Sequence, residues 1–385
     1  MQYNAVPLPA LDAAERQRPG RLDMPLLFLT LFLLAMGVIM VLSASFASAY
    51  YDLQGETGGN AAWYFIRQLV FALAGVAVML FCSRLPMDLY YRLSPLVMAA
   101  AVAALALVLV VGVEVNGAKR WISLGFTTFQ PSEIVKVALI LFASRLICHR
   151  GDKMRTFRWG IAPFALLLLL VVGLLVLEPH FSASIIVLAI AAVMLFVGGV
   201  KLGWFIGAGG ILLVGAVIAV SFVPYVAARV EAFRDPFSDL SGKGWQIVQS
   251  LYAIGSGGFL GLGLGQSRQK YLYLPEEHND FIFAVVCEEL GFLGAGLILC
   301  LFALLIIRGY TIAIHAANRY SFLVGVGISS MLALQTFLNV AVCTNLIPCT
   351  GISLPLFSYG GTALLIQLAE IGILLSVSRE MPGNR

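Results

Sequence analysis

The sequence predicts an all-α polytopic membrane protein of about ten transmembrane helices. Both termini are expected in the cytoplasm, with one large extracytoplasmic loop between the seventh and eighth helices. Three observations predict it. Of 385 residues, 60% are hydrophobic and only 11% charged, at a mean hydropathy of +0.94, a composition far from that of water-soluble domains. Ten apolar windows reach the roughly 20 residues needed to cross a hydrocarbon core of about 30 Å. Lys and Arg concentrate in alternate loops, as their retention on the cytoplasmic side requires.

Residues 1–23 are polar overall and carry Pro7, Pro9 and Pro19, so they read as a disordered cytoplasmic tail ahead of a span too long to be a signal-peptide core. The spans follow at 24–46, 62–83, 93–113, 133–148, 159–178, 182–200, 203–222, 281–307, 321–343 and 358–378. The fifth and sixth are separated only by Glu178-Pro179-His180, and residues 380–385 form a second cytoplasmic tail. Residues 24–379 are thus one transmembrane domain, with 223–280 as its large outer loop. An inside N-terminus puts Arg16, Arg18, Arg21, Arg84, Arg92, Arg145, Arg150, Lys153, Arg155, Arg158, Lys201, Arg308, Arg319, Arg379 and Arg385 in the cytoplasm. They outnumber Lys119, Arg120, Arg229, Arg234, Lys243, Arg268 and Lys270, which fall outside. Cys82, Cys148, Cys287, Cys300, Cys343 and Cys349 show no C-x-x-C pair and read as small buried side chains; a Cys343–Cys349 bridge has no support in the spacing.

Three outer segments carry the polar residues that the composition otherwise lacks. The first runs from Asn116-Gly117 through Lys119-Arg120-Trp121 to Gln130-Pro131-Ser132-Glu133 and Lys136. Cations beside Trp can be plain interfacial anchors, but here they break the orientation bias, which favours anion binding. Ser132 or Glu133 also suits a helix cap. The second is the long loop, where Trp245, Ile247, Val248, Leu251, Tyr252 and Ile254 have the spacing of an interfacial helix. It continues through a glycine series, Gly255 to Gly265, that suits turns better than a phosphate cradle, since no strand precedes it and no Walker pattern is present. It ends in Leu274-Pro275-Glu276-Glu277-His278-Asn279-Asp280 at the mouth of the eighth span. The third, Asn345 to Gly361, has prolines and glycines that rule out a regular helix and predict a bent or re-entrant loop.

These segments together carry a resemblance. Arg120-Trp121 with Gln130-Pro131-Ser132-Glu133, the stretch Gln249-Ser250 to Gly258, Leu274-Pro275-Glu276 through Asp280-Phe281-Ile282-Phe283, Glu288-Glu289-Leu290-Gly291 and Pro355 to Gly361 resemble the shape, elongation, division and sporulation family, of FtsW and RodA type. The run Gly265 to Glu276 is more similar to the division branch. Two positions depart: Asn279 stands where Thr is usual, and His180 where Asp is expected, so no catalytic or metal role is carried to position 180.

The resemblance implies a peptidoglycan glycosyltransferase that polymerises lipid II on the outer face of the bacterial cytoplasmic membrane, at the division septum. It also implies a divalent cation, Mg or Mn, without assigned ligands. The implied partners are a class B penicillin-binding protein on the eighth and ninth spans, where Leu293, Leu297, Leu301 and Leu305 recur, and other divisome proteins; no nucleic acid is expected. Such chemistry needs a base for the acceptor hydroxyl and cations for a departing diphosphate, for which Lys119, Arg120, Arg229, Arg234 and Lys270 are the external candidates. Asp280 is the candidate base, its alternative role being to cap the eighth helix. Lys119, Arg120, Glu133, Lys136, Gln249, Lys270, Glu276, His278 and Ser358 are the candidate substrate-binding residues. At about 100° and about 1.5 Å per residue, Glu288 lies about 80° around from Asp280 and about 12 Å below it, and reads as a structural or proton-tuning group near the same cavity. Glu289 points nearly opposite and needs another partner. The competing readings are a lipid II flippase, for which Glu178, Glu288, Glu289 and Glu370 are intramembrane acids, an elongation or sporulation paralogue of the same enzyme class, and a division scaffold without activity.

Overall fold

The computed structural model describes residues 20–51, 55, 57–115, 118–125, 127–238, 242 and 244–381. Asn116, Gly117, Lys243 and most of both predicted tails (1–19 and 382–385) lie outside the described residues. Ten long helices take the places of the ten predicted spans: α1 (Met24–Tyr51), α2 (Trp63–Cys82), α3 (Met87–Val111), α4 (Pro131–Arg150), α5 (Ala162–Leu177), α6 (Phe181–Val197), α7 (Leu202–Phe222), α10 (Ile282–Ile314), α11 (Arg319–Cys343) and α12 (Gly361–Arg379). Two shorter ones, α8 (Pro224–Arg234) and α9 (Trp245–Ser256), lie within the large loop. Among the described residues, seven helices are long and apolar enough to cross a membrane by length and composition, and α5 and α6 are shorter apolar helices. The protein is an all-α polytopic membrane protein.

α11 and α12 form the centre, each with most of its length buried, and α2 packs along α12 while α10 packs along α11. α7 is the opposite case: none of its described residues is buried. It meets the bundle at its first turn, where Trp204 stacks on Phe157 with ring centroids 5.1 Å apart. Only the end of the predicted N-terminal tail is described, and that end is tied down. Arg308 holds Asp23 with two donors at 2.6–3.1 Å, and Gly20 N–H donates to the Arg379 carbonyl at 3.2 Å.

Three outer features differ from the sequence reading. The segment after α3 is a small antiparallel sheet in the order β1 (Val113–Val115), β2 (Ala118–Ser123), β3 (Thr128–Phe129). Helical periodicity does not reach these positions, whose β-branched and aromatic residues suit a pleated surface. α9 forms where the apolar spacing predicts a helix, but its apolar face is turned onto α10 and α11, with Ile247, Val248, Gln249, Ser250 and Ala253 buried. Neither Ser132 nor Glu133 caps α4; Gln130 occupies the cap position and makes no side-chain capping bond, and Pro131 begins the helix.

The eighth span is broken. Within α10, Gly291 adopts φ 64°, ψ −170°, so the helix stops and restarts there. The interrupted backbone is rescued by the glycine series of the preceding loop: Leu262 and Gly263 N–H donate to the carbonyls of Glu288 and Glu289 at 3.0 Å, and Phe292 N–H donates to Gly258 at 2.9 Å. The two chains approach so closely that a Cβ at Gly261 would lie 2.2 Å from the Glu289 carbonyl oxygen. Gly257, Gly261 and Gly291 therefore serve contact of backbone on backbone, while Gly258, Gly263 and Gly265 take the left-handed φ of turns, as the sequence predicts.

Candidate functional site

The loops between Gln269 and Phe281 and between Thr344 and Gly360 fold against each other at the outer end of the bundle, and three consecutive carbonyls fix the segment before α10. Tyr359 N–H donates to the His278 carbonyl at 2.8 Å, Ser358 Oγ to that of Asn279 at 2.7 Å, and Asn339 Nδ2 to that of Asp280 at 2.8 Å. Asn339 also donates to Ile352 at 2.7 Å, which ties the second loop to α11. With its backbone held this way, Asp280 is half-buried and lines a cavity of about 1310 Å³. Phe281 occupies the cap position of α10 and makes no side-chain capping bond, so Asp280 is not spent as a helix cap.

The same cavity is lined by Arg67, Arg120, Lys136 and Arg229, with Glu133 and Glu276 as the other carboxylates and Trp63, Tyr64, Trp121 and Tyr359 as aromatic wall. Arg120 donates to the carbonyls of Glu178 and Pro179, and Arg229 to that of Cys349, so their guanidinium groups are anchored by backbone. Burial, reinforced by the Glu276 carboxylate, pushes the Asp280 carboxyl up to about 6; Arg229, His278 and Arg120 oppose that rise. Burial pushes His180 down to about 3, helped by Arg120 and Lys136, so its imidazole is neutral. Burial likewise pushes Glu178 up to about 8 against the pull of Arg120, and neither of its carboxyl oxygens has a hydrogen-bond partner. Gly351, at φ 67°, stands so close that a Cβ there would lie 3.0 Å from Asp280 Oδ2.

Of the residues singled out from sequence, Asp280, Arg120, Arg229, Glu133, Lys136 and Glu276 come together at this cavity. The others do not line it. Lys119 is exposed on β2. Gln249 is buried in α9, and Gln246, nearly one turn earlier, faces the cavity instead. Lys270 corrects the expectation most clearly: its Nζ is sealed against Glu289 Oε1 at 3.0 Å, Ser43 Oγ at 3.3 Å and the Gly265 carbonyl at 2.7 Å. That pair also supplies the partner that Glu289 needs. Glu288 does not share the cavity, because its carboxylate is taken by Ser267 Oγ at 2.5 Å and by the N–H groups of Arg268 and Gln269 at 3.0 and 3.4 Å. His278 packs its ring on Tyr64 at 4.4 Å, and Ser358 works through the backbone.

Sequence reasoning missed Arg67, Gln68 and Asn339. Gln68 donates to the Ser358 carbonyl at 3.1 Å and accepts from Gly360 N–H at 3.3 Å. The available signal was a strongly polar side chain inside an apolar span, which is costly unless it has a structural or functional partner. The six cysteines are free thiols.

The family model for FtsW, RodA and SpoVE cell cycle proteins matches residues 24–382. The chain belongs to that family. Among relatives of the FtsW/RodA/SpoVE family, the stage V sporulation protein E of Bacillus subtilis (strain 168) is 41% identical over 93% of this chain and 97% of its own length. A probable peptidoglycan glycosyltransferase FtsW of Hahella chejuensis is 40% identical over 96% of this chain and 93% of its own. Among solved structures, a chain from a peptidoglycan synthase complex that coordinates polymerization and crosslinking superposes with a TM-score of 0.76 at 31% identity, covering 93% of this chain and 98% of that one. The rod shape determining protein RodA of Thermus thermophilus gives 0.68 at 30% identity, covering 94% and 97%.

Proposed function

We propose that this family member is an inverting peptidoglycan glycosyltransferase that polymerises lipid II on the outer face of the cytoplasmic membrane. The observation that carries the proposal is a carboxylate of raised basicity, Asp280, in one cavity with Arg67, Arg120, Lys136 and Arg229. Asp280 takes the proton from the acceptor sugar hydroxyl as its oxygen bonds to the donor's anomeric carbon. The bond from that carbon to the lipid diphosphate breaks, and the cations neutralise the departing charge; the arginines bring two-pronged geometry. One displacement at an α-linked donor gives a β-linked strand. The proton then leaves Asp280 for water in the open cavity.

The divalent cation expected from the resemblance does not fit these donors. Both Glu133 oxygens face Lys136 Nζ at 2.8 Å, Glu276 Oε2 accepts from Asn279 at 2.6 Å, and His180 sits beside Arg120 and Lys136. Among the described residues no three His, Cys, Asp or Glu side chains gather as a metal site.

For the partner, a class B penicillin-binding protein, the outer half of α10 offers exposed Phe292, Leu293 and Leu297. The predicted leucine stripe turns inward, because steps of four drift about 40° each around a helix; Leu305 is 1% exposed. α11 is mostly buried and adds Phe337 as an exposed apolar side chain. The branch served is cell division at the septum, a reading supported by the relatives named FtsW. Transport is disfavoured because Glu288 and Glu289 hold the outer loop and do not mark a path across the bilayer.

The deciding experiment is polymerisation of purified lipid II by the reconstituted protein with its cognate transpeptidase. Long glycan strands from wild type, and none from folded Asp280→Asn that still binds the partner, are expected. Normal strands from the variant overturn the base assignment.

A further inference from the structure

One polar side chain on the cavity wall has no part in the reaction as proposed. Gln335 of α11 is 2% exposed and lines the cavity, and its Oε1 has no hydrogen-bond partner among the described residues. Its own helix fixes its height in the site. Asn339 lies one turn farther out, about 6 Å along the axis, and its amide donates to the Asp280 carbonyl at 2.8 Å. The neighbouring helix gives a consistent level. A Cβ at Gly327 would lie 2.5 Å from Ile140 Cγ2, which marks a point where α11 and α4 touch. Outward from that point, Gln335 is about 12 Å along α11 and Glu133 about 10 Å along α4. Gln335 therefore stands one turn below the base, near the level of Glu133.

The polar groups around it are already engaged. Glu133 and Lys136 hold each other at 2.8 Å, and the Asn339 amide donates to the carbonyls of Asp280 and Ile352. A buried amide atom left unpaired costs stability, and its place on a cavity wall points to a ligand that completes it. Charge narrows the choice. The arginines and Lys136 suit the departing diphosphate, whereas Gln335 is neutral, and its terminal amide presents N–H or, when flipped, C=O to the cavity. We propose that Gln335 is a substrate-binding residue whose amide pairs with the 2-acetamido group of the sugar whose hydroxyl reaches Asp280. On such a ring the acetamido group is the substituent that carries N–H and C=O side by side, and one ring spans a distance of the same order as the drop from Asp280 to Gln335. The inference rests on the glycosyltransferase reading above and names the substrate feature that this wall of the site reads.

The test compares two lipids on one variant. Reconstituted protein with its partner is given natural lipid II, or a lipid II whose acceptor sugar carries a 2-hydroxyl in place of the 2-acetamido group. Wild type should favour the natural lipid about tenfold in kcat/KM. Gln335→Met keeps the reach of the side chain without its polar atoms. It should lose about tenfold on natural lipid II and little on the analogue, so that the preference falls to within about twofold of unity. Its unfolding temperature should hold or rise, because an unpaired buried amide has been removed. A preference that survives in Gln335→Met, an equal loss on both lipids included, overturns the proposal. So does a wild type indifferent to the two lipids, or a variant that unfolds at a markedly lower temperature, the mark of an amide that serves the fold. Strands from wild type on natural lipid II leave the enzyme reading standing whatever the preference; their absence overturns both.

Discussion

Replacing Glu276 by Gln should move the acid limb of the polymerisation rate to lower pH. Asp280 is held at about 6, against an ordinary value of 3.8, first by burial and next by the Glu276 carboxylate. A base of that strength is about half ionised at pH 6 and only about a tenth ionised at pH 5. Wild-type turnover at saturating lipid II should therefore be flat above about pH 7 and fall about tenfold per unit on the acid side. Removing the Glu276 charge lowers the Asp280 value, so the limb moves down in pH, and the plateau rate falls because the base is weaker. Arg229→Gln removes an opposing cation and moves the limb up. The assay is glycan-strand formation in proteoliposomes across pH 4.5–8, with lipid II saturating at each point. A wild-type rate that is flat from pH 5 to 8, or one limb shared by all three proteins, refutes the electrostatic reasoning.

Because folding raises the Asp280 value, stability is fully present below pH 3.8 and is lost as pH rises through about 6. Asp280→Asn should therefore unfold at a higher temperature than wild type at pH 7, by an amount of order 1–3 kcal/mol, while losing polymerisation; a lower unfolding temperature contradicts this. Lys270→Met or Glu289→Gln alone should cost about 3–5 kcal/mol because each strands a buried partner, and Lys270→Met with Glu289→Leu should recover most of it in thermal unfolding. Asn339→Ala leaves the Asp280 and Ile352 carbonyls without their donor, at about 1–3 kcal/mol, and should lower kcat; unaltered kcat would show that the Asp280 backbone is held without it. Gly351→Ala puts a methyl 3.0 Å from Asp280 Oδ2 at a left-handed φ of 67°, and should abolish strands from a protein that still reaches the membrane.

The ten helices and Asp280 were legible because their signals are local. A span is an uninterrupted apolar run, and a carboxylate at its mouth stands out against it. What was not legible depends on partners distant in sequence. Lys270 has the composition of a substrate ligand and the surroundings of a sealed ion pair, since Ser43 lies 227 positions away. The placement of Glu288 assumed a helix running through Asp280, whereas α10 begins two residues later, and helix geometry cannot reveal that the N–H groups of residues 268 and 269 claim its oxygens. Arg67 escaped because it sits inside an apolar window and so was counted with neither set of loops. The outer sheet escaped because its strands are two to six residues long, too short for alternation to register.

The break at Gly291 also sets an order of assembly. Residues 257–263 leave the ribosome before 288–293, yet each stretch holds the backbone partners of the other. The outer loop therefore waits, its amides bound to water, until the following helix is threaded into the bilayer and its carbonyls arrive. The loop that carries Asp280 to its place is completed only by insertion of the segment synthesised after it, which ties a finished cavity to a fully integrated chain.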